Sequence, residues 1–188
     1  LLDESRQGYF HKRGEIDLAY TRKGVGRFRV NVFRQRGNVS IVMRRIKTKI
    51  LNIEQLHLPT GVERFASSQR GLVLITGTTG SGKSTTLAAI IDQINQTRRC
   101  HIVTIEDPIE YVHQDKLAVI NQREITIDTQ SFSTALKSAM RQDPDVILVG
   151  EMRDLEPFQA AISAAETGHL VFSTLHTTNV MQTIDRII

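Results

Sequence analysis

The stretch Gly77-Thr78-Thr79-Gly80-Ser81-Gly82-Lys83-Ser84-Thr85 lies between an apolar run, Leu72-Val73-Leu74-Ile75-Thr76, and a segment with helical spacing, Thr86-Leu87-Ala88-Ala89-Ile90-Ile91. Strand, glycine-rich turn and helix in that order form the context of a phosphate-binding P-loop. The glycines let backbone N–H groups turn inward and approach phosphate oxygens with no Cβ in the way. The helix that follows points its positive end at the same phosphates. In this pattern Lys83 reaches the outer phosphates and the Ser84 hydroxyl ligates Mg²⁺. A strand-to-helix turn with no ligand would need neither the third glycine nor the Lys-Ser pair. The stretch therefore reads as a nucleoside triphosphate site, with ATP and Mg²⁺ as its expected ligands.

Downstream of Gly71, apolar strands alternate with helical stretches, the signature of a parallel sheet with helical crossovers, an α/β fold. Strands are expected at 72–76, 101–105, 146–149 and 170–174, with a shorter one near 118–120. Helices are expected at 83–95, at about 132–142 with Ser131 as N-cap, at about 156–167 ending at Gly168, and from 179 onward. Upstream, residues 15–20, 27–33 and 39–46 alternate like half-buried strands of a small, mostly antiparallel sheet. Residues 1–13 read as a frayed helix or loop. A polar connector with Pro59-Thr60-Gly61 puts the domain boundary near residue 58, giving domains of 1–58 and 59–188.

The charge balance follows this division. Residues 1–70 carry 15 Lys+Arg against 6 Asp+Glu, and residues 71–188 carry 9 against 14, so +9 and −5 sum to the net +4. A basic segment of this kind can face nucleic acid, anionic lipid, nucleotide phosphates or the acidic half of the chain itself. The single cysteine, Cys100, excludes an internal disulfide framework and fits a reducing compartment. No apolar stretch reaches the ~18 residues of a membrane span, and the start has no signal-peptide pattern. The chain begins without Met and stops inside a helical pattern, and so reads as a piece of a longer protein.

In open α/β sheets ligands sit beyond the carboxyl ends of the strands, so the residues after each strand are candidates for chemistry. After 101–105 comes Glu106-Asp107-Pro108-Ile109-Glu110, where carboxylates can hold Mg²⁺-bound waters or orient an attacking water. After 146–149 comes Gly150-Glu151-Met152-Arg153-Asp154. The Asp usual at this point in NTPases is replaced by Gly150, which leaves Glu151 to hold Mg²⁺ or polarise water. His169 and His176 flank the strand 170–174, at opposite ends, too far apart to share a metal. His176, on the ligand side, is the better γ-phosphate sensor.

Together, GTTGSGKST, TIEDPIEYVHQ, NQRE, RQDPDVILVGEMRD and ETGHLVFSTLHTT resemble the secretion-ATPase superfamily, and within it the type IV pilus retraction ATPases (the PilT/PilU group). The resemblance covers nearly the whole chain, including GRFRVNVFRQRG upstream. It implies a RecA-like domain preceded by part of a small PAS-like domain. Its motifs fall on Gly77–Thr85 (P-loop), Thr104–Tyr111 (aspartate box, with Glu106, Asp107 and Glu110), Val146–Asp154 (atypical Walker B, with Glu151 as catalytic glutamate) and Gly168–Thr177 (histidine box, with His169 and His176 as sensors). Arginines of the small domain are implied to reach the phosphates, and Arg29 and Arg44 match best by strand placement, with Arg27 and Arg36 as weaker matches. The resemblance further implies a homohexameric motor on the cytoplasmic face of the inner membrane that works through a membrane platform protein.

Three other readings compete. An assembly or secretion ATPase of the same superfamily would share every motif above; the NQRE stretch and Met152 favour the retraction group. A nucleic-acid motor would suit the basic first 70 residues, but aromatics are only 5% and no nucleic-acid module is visible. A nucleotide-binding switch without turnover would have no use for a water-activating acid at Glu151.

Overall fold

The computed structural model describes residues 2–47, 49–152, 155–177 and 180–187. The chain divides into two compact units, 1–48 and 49–188, so residues 49–58 group with the second unit and the division falls earlier than residue 58.

In the first unit, helix α1 (Glu4–Arg13) is followed by three antiparallel strands, β1 (Glu15–Arg22), β2 (Gly26–Gln35) and β3 (Asn38–Arg45), in the order β1-β2-β3. The frayed segment expected at 1–13 is thus a capped helix. Asp3 accepts the Arg6 N–H at 2.9 Å, and Gly14, at φ +81°, closes the other end through its N–H to Phe10 O. One face of the sheet buries Leu18, Val30 and Val32 under Phe10. In the register of β2 and β3, Arg29 lies opposite Arg44.

The second unit opens with a turn in which Asn52 and Gln55 exchange reciprocal side-chain-to-backbone hydrogen bonds, and with a short helix, α2 (Glu63–Ser67). The α/β sheet then runs β4 (Gly71–Thr76), α3 (Lys83–Thr97), β5 (His101–Glu106), β6 (Val119–Glu124), α4 (Phe132–Ala139), β7 (Val146–Val149), α5 (Leu155–Glu166), β8 (Leu170–Leu175) and α6 (Val180–Ile187). All five strands are parallel, in the order β4-β8-β7-β5-β6.

Both faces of this sheet are covered, which is why its central strands are almost uninterrupted apolar runs. Ile102, Val146, Leu148, Leu170 and Phe172 pack with Leu87, Ile90, Ile91 and Ile94 of α3. The alternate residues Val103, Ile105, Ile147, Val149, Val171 and Leu175 pack with Ala135, Leu136 and Ala139 of α4 and Phe158, Ala161 and Ala164 of α5. Among the described residues no helix is long and apolar enough to cross a membrane.

The largest differences from expectation are at β6 and α4. The strand expected near 118–120 runs on through Asn121-Gln122-Arg123-Glu124, because an edge strand can carry polar side chains that serve a neighbouring loop. Helix α4 stops at Ala139, ahead of a turn that leads through Asp143, at φ +54°, into Pro144.

Candidate active site

The strand order decides what meets the P-loop. One strand, β8, separates the P-loop strand β4 from β7, so the residue after β8 stands between the residues that follow the other two. Residue 176 is that residue.

The P-loop itself is built by its glycines. Gly77, Gly80 and Gly82 have φ of +152°, +81° and +96°, values that L side chains rarely adopt. Gly77 has no room either, since a Cβ there would lie 2.6 Å from Ser81 Oγ. Ser81 N–H donates to Thr78 O at 3.2 Å across the turn carrying Thr79 and Gly80, and Gly82 leads into α3 with no side-chain cap on the helix. The first-turn amides of α3 are therefore left to a ligand or solvent, as a phosphate site requires.

Lys83 is buried and folds back over the loop, donating to Gly77 O and Thr78 O, both at 2.9 Å. Its Nζ also lies 3.5 Å from His176 Nδ1, and His176 Nε2 lies 3.1 Å from Glu151 Oε2. An ammonium can only donate, so Nδ1 faces it with a lone pair and the Nε2–H points at the carboxylate. Lys83, His176 and Glu151 thus form a cation–imidazole–carboxylate chain across the carboxyl ends of three adjacent strands.

On the other side of Lys83, the acidic loop after β5 docks on the two hydroxyl residues of the P-loop. Ser84 Oγ donates to Glu110 Oε1 at 3.0 Å, and Thr85 Oγ1 and the buried Tyr111 hydroxyl are 2.9 Å apart. Glu106 points elsewhere within this loop: its Oε1 accepts Thr104 Oγ1 at 2.6 Å and Gln122 Nε2 at 3.1 Å. Burial pushes the Glu106 carboxyl up to about 7, with the nearby Glu110 charge adding to it and hydrogen bonds from Thr104, Gln122 and the Glu110 backbone opposing it. A carboxyl held near neutrality is suited to taking up a proton at working pH.

The glycine that replaces the usual strand-end Asp has a packing reason. A Cβ on Gly150 would lie 3.3 Å from Glu106 Cα and 3.4 Å from Ile105 O. Both are backbone atoms, which cannot give way cheaply, so β5 and its acidic loop pass where an Asp side chain would start. The acid moves one residue on, to Glu151.

His169 does not join this group. It precedes β8, at the amino end of the sheet, where Nδ1 donates to Ala164 O at 2.9 Å and its backbone N–H donates to the same carbonyl at 3.1 Å. It closes the end of α5, and that placement removes it from the phosphate site. Arg29 and Arg44 belong to the first unit, where Arg29 Nε lies 4.0 Å from Asp17 Oδ1. Arg153, Asp154 and Thr178, quoted in the motifs above, lie outside the described residues.

Sequence reading gave no site role to three contributors: Tyr111, Gln122 and Glu124. Tyr111 meets the P-loop at Thr85. Gln122 and Glu124 hold the acidic loop from β6, where the buried Glu124 accepts the Ile109 N–H at 3.3 Å. The signal was an alternation of polar residues, 122 and 124, in a strand next to an acidic loop.

The donor set at the P-loop suits Mg²⁺, which takes oxygen ligands and keeps several of its waters. The Ser84 hydroxyl and the Glu110 and Glu151 carboxylates supply oxygens only.

Comparison with known proteins places this geometry. The family model for type II/IV secretion system proteins matches residues 12–188. The chain is 52% identical, over its whole length and 55% of the relative's, to the type IV pilus retractation ATPase PilT of Pseudomonas aeruginosa. It is also 52% identical, over its whole length and 50% of the relative's, to a twitching motility protein of Neisseria gonorrhoeae. A crystal structure of the pilus retraction motor PilT with bound ADP superposes on the whole chain and 55% of that structure, with a TM-score of 0.96 at 52% identity. The chain spans about half the length of the curated relatives it matches. It belongs to the type II/IV secretion system protein family.

Proposed function

We propose that this chain carries the ATP-hydrolysing site of a type IV pilus retraction motor. The observation that carries the reading is the Lys83–His176–Glu151 chain beside a glycine-built P-loop, on a backbone that superposes on PilT with ADP. A cradle for phosphate alone needs no carboxylate linked to its lysine through an imidazole.

In this reading the loop Gly77–Thr85 binds the α- and β-phosphates through its amides. The outer oxygens of the triphosphate compete with Gly77 O and Thr78 O for the Lys83 ammonium. When Lys83 turns to the γ-phosphate, His176 keeps contact with that end of the nucleotide and senses its loss. Glu151, whose Oε2 is held by the imidazole, orients the attacking water. Glu106 accepts a proton from the site, and Glu110 keeps the Ser84 hydroxyl aligned. Ser84 and Glu151 would hold Mg²⁺ at this place, where its positive charge would offset that of the phosphates. Arg29 and Arg44 carry guanidinium charge of the kind that suits a dispersed transition-state charge on phosphate.

The motor is a homohexamer that works on a membrane platform protein from the cytoplasmic face of the inner membrane. Deleting the gene tests direction. A retraction motor predicts cells with excess surface pili and no twitching; loss of pili would reassign the chain to assembly or secretion.

A further inference from the structure

The edge strand β6 makes a contribution to the site that no P-loop, Walker B or histidine motif describes. The Gln122 side chain uses its whole amide. Nε2 donates one hydrogen to Glu106 Oε1 at 3.1 Å and the other to Tyr111 O at 2.9 Å, while Oε1 accepts the His113 N–H at 2.8 Å. The orientation of the amide is set by chemistry, since the flipped form would aim its oxygen at two acceptors and its donors at an N–H. The three partners span the acidic loop from its first carboxylate, at Glu106, to His113, just beyond its docking segment. That segment holds Glu110, on Ser84 at 3.0 Å, and Tyr111, on Thr85 at 2.9 Å.

We propose that Gln122 is a positioning residue of the site: its carboxamide braces the loop 107–113 from β6 and so sets where Glu110 and Tyr111 meet the P-loop hydroxyls. The inference rests on the reading of the site as an ATPase. Only a carboxamide of this length fills the role. Glu would place a carboxylate against Glu106 Oε1 and Tyr111 O, Met would keep the shape with no donor, and Asn would fall a methylene short of the reach. Loss of the brace leaves the phosphate cradle, whose glycines and α3 amides owe nothing to β6, but lets the acidic loop drift. A shift of ~1 Å in such a supporting group costs up to about a hundredfold in turnover.

The test compares the purified protein with its Gln122→Met and Gln122→Glu variants for kcat, KM for MgATP, ADP affinity and melting temperature, and repeats Gln122→Met in a Glu110→Ala background. The expected result is a fall in kcat of about tenfold to a hundredfold in both single variants, with ADP affinity held within about twofold. In the Glu110→Ala background Gln122→Met has a smaller effect than in the parent, because part of that effect acts through the Glu110–Ser84 contact. Three results would overturn the proposal: Gln122→Met turning over within twofold of the parent, ADP affinity falling in step with kcat, or an undiminished effect in the Glu110→Ala background. If Gln122→Met does not fold, Gln122→Asn carries the same comparison. A parent protein that binds ADP but never hydrolyses ATP overturns the ATPase reading itself, and the positioning role with it; a parent that hydrolyses ATP beside an equally active Gln122→Met overturns only the positioning role.

Discussion

The two edges of the parallel sheet spend their polar groups differently. At the amino edge each polar side chain closes on nearby backbone or on a neighbour that holds strands together. His169 caps α5 through Ala164 O, Asp145 accepts the His101 N–H at 2.7 Å, and Arg98 donates to Ser68 O at 2.8 Å. At the carboxyl edge side chains bond to one another as well as to backbone: Lys83 to His176, His176 to Glu151, Ser84 to Glu110, Glu106 to Gln122. Groups at the amino edge are committed to the fold, whereas those at the carboxyl edge stand where a phosphate can compete for them. The two histidines that flank β8 make the contrast across one strand.

Substitutions at the carboxyl edge should change chemistry, and those at the amino edge stability. Lys83→Ala has the largest expected effect on binding: ATP and ADP affinity fall about tenfold to a hundredfold, the worth of one charge-assisted contact to phosphate, as titration calorimetry would measure. Unchanged affinity would remove Lys83 from the site.

Glu106 mixes the two behaviours, because a carboxyl at the carboxyl edge is buried at a cost to stability. Its folded value of about 7 exceeds the ordinary value of 4.5. Between those values the folded chain holds a proton that the unfolded chain has lost, so the contribution of Glu106 to stability falls as pH rises through that window, by about 3 kcal/mol at most. Glu106→Gln cannot ionise, and its amide oxygen still accepts from Thr104 and Gln122. Denaturant unfolding should find it more stable than the parent at pH 8 by on the order of 2 kcal/mol, with the gap closing by pH 5. A gap of the same size at both values would mean that Glu106 does not titrate in this window.

The histidine pair sharpens the contrast at smaller scale. His176→Ala should lower kcat about tenfold or more with little change in melting temperature. His169→Ala should leave kcat unchanged and lower melting by about 2–4 °C, the loss of one cap hydrogen bond worth about 1 kcal/mol. The reverse pattern would break the distinction between the edges.

The parts of this architecture legible in the sequence are those with strong local signatures. The P-loop announced itself through three glycines and Lys-Ser, and β5, β7 and β8 through apolar runs that only a doubly covered sheet can bury. The opposite placement of His169 and His176 followed from the strand between them. Other features depend on contacts between distant residues. The full extent of β6 was hidden because Asn121-Gln122-Arg123-Glu124 looks like a polar loop until the acidic loop it serves is folded beside it. The reason for Gly150 lies in Glu106 Cα, on another strand. Helix α1 has few apolar anchors, and its stability comes from the Asp3 and Gly14 caps and from Phe10, which finds its pocket only once β1 and β2 pair.

The central claim is that Glu151, at the end of β7, makes the carboxyl edge hydrolytic rather than merely phosphate-binding. Steady-state ATP hydrolysis by the parent and by Glu151→Gln, with ADP affinity measured on both, tests it most directly. The account predicts clear turnover by the parent, and a fall of about 10²- to 10⁴-fold in the variant with ADP affinity retained. Turnover that survives Glu151→Gln unchanged would contradict it.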